Sequence, residues 1–410
     1  MGSRRKSRTG RNARVTERNF KHEPATSGLR ISSVETFLVA PQWLFVRIRT
    51  DAGITGWGEA GVQMRARSVQ AAIGHFVDYL VGSDPLRIEE HWHVLRRSGF
   101  YRDGAILSSA LAAVDEALWD IAGKYYGVPI HQLLGGPVRD RVRAYAWIGG
   151  DDLCDFSEAE IVEETQQRIG EGFSAFKLTP AKAFAIDTPA AGHEVVSRIA
   201  ALRDAVGPER DIALDVHGHW TNANAKRMLP LLEPYELLFV EEPLLPEHLH
   251  LLRDLAASTS LPLATGERLY SRWDFREVLT SGLAVAQPDV SQAGGISETR
   301  RIAAMAEVYD VTVAPHCPLG PIALAASLQI DFATPNILIQ EQSISHFGDA
   351  FLDYLVDRSV FELRDGHFQR PTGPGLGIEV DERAVEEAGR LGHDRQNPIW
   401  RHSDGSYAEF

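Results

Sequence analysis

Ile212-Ala-Leu-Asp215-Val-His217-Gly-His219-Trp220 is the stretch that decides the fold. An apolar run ends in a carboxylate and two histidines at alternating positions. Residues two apart on a strand point to the same face, so Asp215, His217 and His219 are expected on one face at or just past a strand's carboxyl end. The form then recurs. Leu238-Phe-Val-Glu241 follows 26 residues on, and Pro262-Leu-Ala-Thr-Gly-Glu267 after another 26. Val285-Ala-Gln-Pro-Asp289 comes after 22, Val311-Thr-Val-Ala-Pro-His316 after 27, and Ile337-Leu-Ile-Gln-Glu341 after 25. Six apolar runs each end in a polar, titratable residue. Helical patterns lie between them: Ile161 to Ile169 before the strand candidate Phe176-Lys177-Leu178, Val195 to Val206 before Asp215, and Arg300 to Tyr309 before His316. Strands alternating with helices imply a parallel sheet, and this period suits a (β/α) barrel. No G-x-G-x-x-G follows a strand, which argues against a dinucleotide site.

Upstream the grammar differs. Leu29 to Val39 and Trp43 to Thr50 read as strands, and Asp51-Ala-Gly53 as a turn into a third strand, Ile54 to Glu59. Leu107, Leu111, Val114, Leu118 and Ile121 then form one helical stripe, ended by Gly127 and Pro129. The acids on that helix, Asp115, Glu116 and Asp120, are expected to be solvated or capping charges. The division is a basic tail at 1–28, an α+β domain at 29–148, a barrel at 149–370 and a closing segment at 371–410 that returns to the first domain.

The chain has 410 residues, room for two domains, and a net charge of −14. Residues 1–21 hold eight basic side chains (Arg4, Arg5, Lys6, Arg8, Arg11, Arg14, Arg18, Lys21) against Glu17 alone, so the body is more acidic than the total. An acidic body argues against nucleic acid as partner. The tail lacks apolar residues and is expected to be disordered. The two cysteines, Cys154 and Cys317, are too few for a disulfide framework, which points to the cytoplasm. No segment is long and apolar enough to suggest a membrane partner.

At the carboxyl face of a barrel, strand ends gather round one pocket. That brings together Lys177, Asp215, Glu241, Glu267, Asp289, His316 and Glu341. Three carboxylates on successive strands repel unless a cation lies between them, and an all-oxygen set suits Mg²⁺.

Residues 29–410 resemble the enolase superfamily and, within it, the mandelate racemase-like galactonate dehydratases. The resemblance rests on Gly56-Trp-Gly-Glu59, Gly99-Phe-Tyr-Arg102, Ala117-Leu-Trp-Asp120, Asp215-Val-His-Gly218, Glu241-Glu-Pro243, Gly266-Glu-Arg268, Gln287-Pro-Asp289, Gln340-Glu-Gln342 and Asn397-Pro-Ile-Trp-Arg401. Its most specific string is Ala314-Pro-His-Cys-Pro-Leu-Gly-Pro. It implies a (β/α)7β TIM-like barrel under an α+β N-terminal capping domain, a homo-oligomer, and dehydration of a sugar acid to a 2-keto-3-deoxy acid. It implies Mg²⁺ on Asp215, Glu241 and Glu267. His316 would be the C2 base, oriented by Asp289, and His217 the acid at the C3 hydroxyl. Glu341 would donate to or polarise the enolate. Lys177 lacks the second lysine of the racemase-like relatives, which favours dehydration over racemisation. His219 stands where Arg is expected, and Gln63-Met64 where Glu-Gly is expected. Gluconate or a pentonate as substrate, an epimerase and a catalytically silent barrel are the alternatives.

Overall fold

The computed structural model describes residues 27–149, 156–179, 188–393, 395–396, 399–402 and 404–408. Except for Ser27 and Gly28, the basic tail lies outside them, as do Cys154 and part of the Asn397–Arg401 motif.

The N-terminal part is an antiparallel meander of β1 (Ile31–Val39), β2 (Trp43–Thr50) and β3 (Thr55–Ala60). Helices α1 (Ala66–Gly74), α2 (Val77–Leu80), α3 (Ile88–Arg97) and α4 (Ala105–Tyr126) follow. Gly127 ends α4 in a left-handed conformation, as the sequence indicates. The glycines of Gly56-Trp-Gly-Glu59 let β3 lie directly on α4: a Cβ on Gly58 would sit 1.9 Å from the Ala113 carbonyl oxygen.

After α5 (Ile130–Leu133) and the short strand β4 (Arg141–Arg143), the barrel begins. Its first half runs β5 (Ala146–Ile148), α6 (Glu158–Gly170), β6 (Ala175–Leu178), α7 (Pro189–Val206), β7 (Asp211–Asp215), α8 (Asn222–Leu232) and β8 (Phe239–Glu241). Its second half runs α9 (Leu252–Ala256), β9 (Leu263–Thr265), α10 (Arg272–Val278), β10 (Val285–Ala286), α11 (Gly295–Val308), β11 (Thr312–Val313) and α12 (Pro321–Ala333). The seven strands pair in sequence order, all parallel. The run Ile337–Gln340 closes the circle through parallel bridges to Val313 and Ala144. Among the described residues no helix is long and apolar enough to cross a membrane.

Of the two roles expected for the acids of α4, solvated or capping, burial excludes the first: Asp115, Glu116 and Asp120 are all buried. Helices α11 and α12 begin at Gly294 and Gly320, which offer no capping side chain. The N-terminal domain supplies the missing acceptors. Asp115 accepts from the backbone N–H of Ser297 at 2.9 Å, in the first turn of α11. Glu59 accepts from the N–H groups of Gly320 and Ala323 at 2.7 and 3.0 Å, at the start of α12. Glu116 joins the two parts by accepting from Glu59 N–H at 2.8 Å and Ser291 Oγ at 2.9 Å. The capping therefore crosses domains. The segments held this way are those that follow Asp289 and His316.

Burial pushes Asp115 up to about 7 and Glu59 up to about 8. A folded-state carboxyl raised above its unfolded value stabilises the fold fully below the unfolded value, and that contribution is lost as pH rises through the raised value. The urea midpoint is therefore expected to fall between pH 5 and pH 8.5, and Asp115→Asn to remove part of that fall. A midpoint that rises over this window, or an Asn variant with the wild-type slope, contradicts the assignment.

The helix Glu382–Leu391 lies against β1 and β2. Arg47 pairs with Glu382 at 3.2 Å and Glu386 at 2.8 Å, and Gly389 packs on Phe37.

Candidate active site

The site follows from strand alternation. A small apolar cluster separate from the outer layer consists of Tyr145, Ala175, Ala213, Phe239, Ala264, Val285, Ala314 and Ile339, one residue from each strand position. These face the barrel axis. Two residues further on, back on the same face, stand Trp147, Lys177, Asp215, Glu241, Gly266, Gln287, His316 and Glu341. On β9 the axial position is Gly266, and the carboxylate comes one residue later, as Glu267.

Ligand atoms of Asp215, Glu241 and Glu267 lie within 4.8 Å of one another. Asp215 Oδ2 and Glu267 Oε2 are buried, the first 3.1 Å from Lys177 Nζ and the second 3.5 Å from His316 Nε2. Burial and the neighbouring carboxylates push Glu241 well up, and burial raises Glu267. Three carboxylates crowded this closely fit a divalent cation.

Lys177 is fully buried, with Nζ 2.6 Å from Glu341, 2.9 Å from Glu241 and 3.1 Å from Asp215. Burial opposes its charge, but these carboxylates outweigh burial and push it well up. It is a fixed cation here, not a proton acceptor. Glu341 accepts from Lys177, from Trp147 Nε1 at 2.9 Å and from Cys317 N–H at 2.7 Å. Burial would raise it, but Lys177 and His316 hold it at about 2. Two roles are expected of Glu341, donating to the enolate or polarising it; its present partners are all donors, and Lys177 is a further donor beside the site.

His316 Nδ1 lies 2.7 Å from Asp289 Oδ2, and its Nε2 is 3.5 Å from Glu267 Oε2. Burial would lower this imidazole, but Glu267, Glu341 and Asp289 together lift it to about 10. The dyad forms because β10 and β11 keep register past their assigned ends, where Asp289 bridges to His316.

His217 reaches the site by another route than the expected pleat. Strand β7 ends at Asp215, and His217 turns back with φ +52°. Gly218 N–H donates to Glu242 O at 2.7 Å and His219 N–H to Val216 O at 3.1 Å, closing a tight turn. His217 Nε2 then lies 3.3 Å from Asp215 Oδ2. Its ring stacks on Trp147, with centroids 6.1 Å apart and an interplanar angle of 15°. His219 does not share the axial face; its ring packs edge-on to His217 at 6.1 Å.

Two family models match the chain: "Mandelate racemase / muconate lactonizing enzyme, N-terminal domain" over residues 14–135 and "Enolase C-terminal domain-like" over 160–384. A D-galactonate dehydratase of Variovorax paradoxus is 49% identical over 93% of this chain and 100% of its own length. One from Pectobacterium atrosepticum is 47% identical over the same shares. The chain belongs to the enolase superfamily, within the family of the D-galactonate dehydratases. A solved enolase from Pantoea ananatis with D-gluconate and Mg bound superposes with a TM-score of 0.84 at 29% identity, covering 93% of this chain and 99% of its own.

Trp147, which touches His217, Lys177 and Glu341, has no titratable group and carries no sequence signal. Counting two residues on from the axial Tyr145 would have found it. Glu242 and Arg268 were also missed. Arg268 Nη2 is 2.5 Å from Glu242 Oε2, beneath the 217–219 turn, and Gly218 leaves room for the guanidinium. The capping segment after Glu59 lies over the same face: a Cβ on Gly61 would sit 2.7 Å from Leu319 and 3.1 Å from Gln292.

Proposed function

We propose that the chain is a hydro-lyase that dehydrates D-galactonate to its 2-keto-3-deoxy acid, with Mg²⁺ held by Asp215, Glu241 and Glu267. The arrangement of two imidazoles about the acid triad supports this reading most directly: His316 approaches Glu267, and His217 approaches Asp215. Bound among those carboxylates, Mg²⁺ would supply fixed positive charge against the charge that builds when a proton leaves beside a carboxylate.

The side chains do the rest. His316 Nδ1–H donates to Asp289; a cation on Glu267 would offset the carboxylate that does most to raise this imidazole, and in the neutral ring Nε2 takes the C2 proton. Lys177, held in place by its carboxylates, presents fixed positive charge toward the developing negative charge. His217 gives a proton to the C3 hydroxyl, the C3–O bond breaks, and water leaves. The resulting enol tautomerises to the keto acid. Lys177 is unable to accept a proton, so the C2 proton is removed and returned from one face, which favours elimination over racemisation. D-gluconate is the second reading, supported by the departures at His219 and Gln63-Met64 and by the gluconate-bound Pantoea ananatis protein. A small-molecule aldonate and a homo-oligomeric assembly are the partners proposed.

Incubating the protein with Mg²⁺ and D-galactonate or D-gluconate should yield a 2-keto-3-deoxy acid, read as its semicarbazone. Absence of product from both acids sinks the proposal. Mg²⁺ added to chelator-treated protein should raise Tm, by about 2.7 kcal/mol of stability at a hundred times Kd. Glu267→Gln should abolish the rise; an undiminished rise in that variant would place the cation elsewhere.

A further inference from the structure

We propose that Gln287 binds an oxygen of the substrate's head group, the carboxylate or C2 hydroxyl of the aldonate; this rests on the dehydratase reading above. Gln287 follows β10 on the face that carries Val285 toward the barrel axis. Its backbone N–H is held by Thr265 O at 3.0 Å, and the Asp289–His316 bridge two residues later keeps the strand in register, so its direction is fixed. The side chain is 1% exposed. Neither its Nε2 nor its Oε1 has a hydrogen-bond partner among the described residues.

Leaving a buried amide unpaired costs roughly 1–3 kcal/mol, and folded proteins rarely tolerate it without reason. In the axial layer Trp147, Lys177, Asp215, Glu241, His316 and Glu341 all have partners drawn from that layer or the dyad. Gln287 has none. On the neighbouring strand Gly266 packs directly on the backbone of Gln287, where a Cβ would sit 2.9 Å from its N and C atoms, and it offers the amide no side-chain partner. The next charged groups on either side are Glu267 and His316, which address the substrate's first two carbons. An amide offers a carboxylate or hydroxyl oxygen two N–H donors and one acceptor.

The test is Gln287→Met, which keeps the length of the side chain and removes both polar atoms. An amide waiting for substrate predicts a Tm equal to or above wild type, because an unpaired buried polar group has gone. It also predicts a kcat/KM lower by about 10–100-fold, mostly through KM, the value of a hydrogen bond to a charged group. Gln287→Glu should lose more, since it sets like charge against the substrate carboxylate. A Tm lowered by more than about 2 °C would show an internal partner and overturn the proposal. So would a kcat/KM for D-galactonate within about threefold of wild type, below the effect of such a bond. The Tm gain on adding D-galactonate with Mg²⁺ is measured alongside, because it needs binding only. Wild type that neither turns over nor gains Tm with D-galactonate counts against the dehydratase reading and not against the amide. The same comparison is then made with D-gluconate.

Discussion

Replacing His316 with Asn should remove both water loss and exchange of the substrate's C2 proton with solvent deuterium, whereas His217→Asn should stop water loss and leave exchange in place. The two imidazoles lie at different corners of the acid triad. His316 is tied to Asp289 at 2.7 Å and borders Glu267; His217 borders Asp215 and stacks on Trp147. One base and one acid at separate positions act on separate bonds. Loss of the base stops the first bond from breaking, so every later event stops as well. Loss of the acid leaves base, charge and Lys177 intact, so the C2 proton still leaves and returns. General acid–base groups contribute about 10²–10⁴-fold, and each variant should lose turnover on that scale. Asp289→Asn should weaken both events, because the imidazole loses its orienting acceptor. NMR of the aldonate in D₂O reads exchange and elimination in one sample. Exchange that survives in His316→Asn but disappears in His217→Asn reverses the two roles.

The spacing of apolar runs made the barrel and its triad legible, because alternation and strand order together decide which side chains meet at the carboxyl face. Asp215 and Glu241 needed nothing more; Glu267 follows from strand order, since it stands one residue past the axial Gly266. His217 was placed at the site for the wrong reason: alternation requires the strand to continue, and the chain instead turns at φ +52°. The burial of the α4 acids was not legible, because amphipathic spacing says nothing of a second domain docking on the polar face. Once α11 and α12 start at glycines, their free N–H groups require acceptors, and Asp115 and Glu59 provide them. Trp147 drew no notice, and Gln287 was read only as part of the Gln287-Pro-Asp289 string, because neither carries charge. Their positions depend on the register of β5 and β10, which short strands do not display in sequence.

Lys177→Met should produce the largest loss of stability of any single change at the site, and Mg²⁺ should restore part of it. The ammonium is fully buried and neutralises three buried carboxylates, on Asp215, Glu241 and Glu341. Removing one partner of a buried ionic cluster costs about 3–5 kcal/mol, because the remaining charges keep their desolvation cost without compensation. Methionine fills most of the space, so a cavity contributes little and the effect reports charge. In chelator-treated protein the loss should lower Tm by roughly 3–6 °C. A cation on Asp215, Glu241 and Glu267 would neutralise two of the three carboxylates that Lys177 leaves behind, so the Tm gained on adding Mg²⁺ should be larger in the variant than in wild type. Turnover should stay absent even then, since nothing replaces the ammonium beside Glu341. Lowering the pH should also help the variant more than wild type, as protonation relieves the same repulsion. A Lys177→Met protein with wild-type Tm in chelator would show that these carboxylates are already neutral in the fold, and the charge balance assigned to the barrel's axial layer would be wrong.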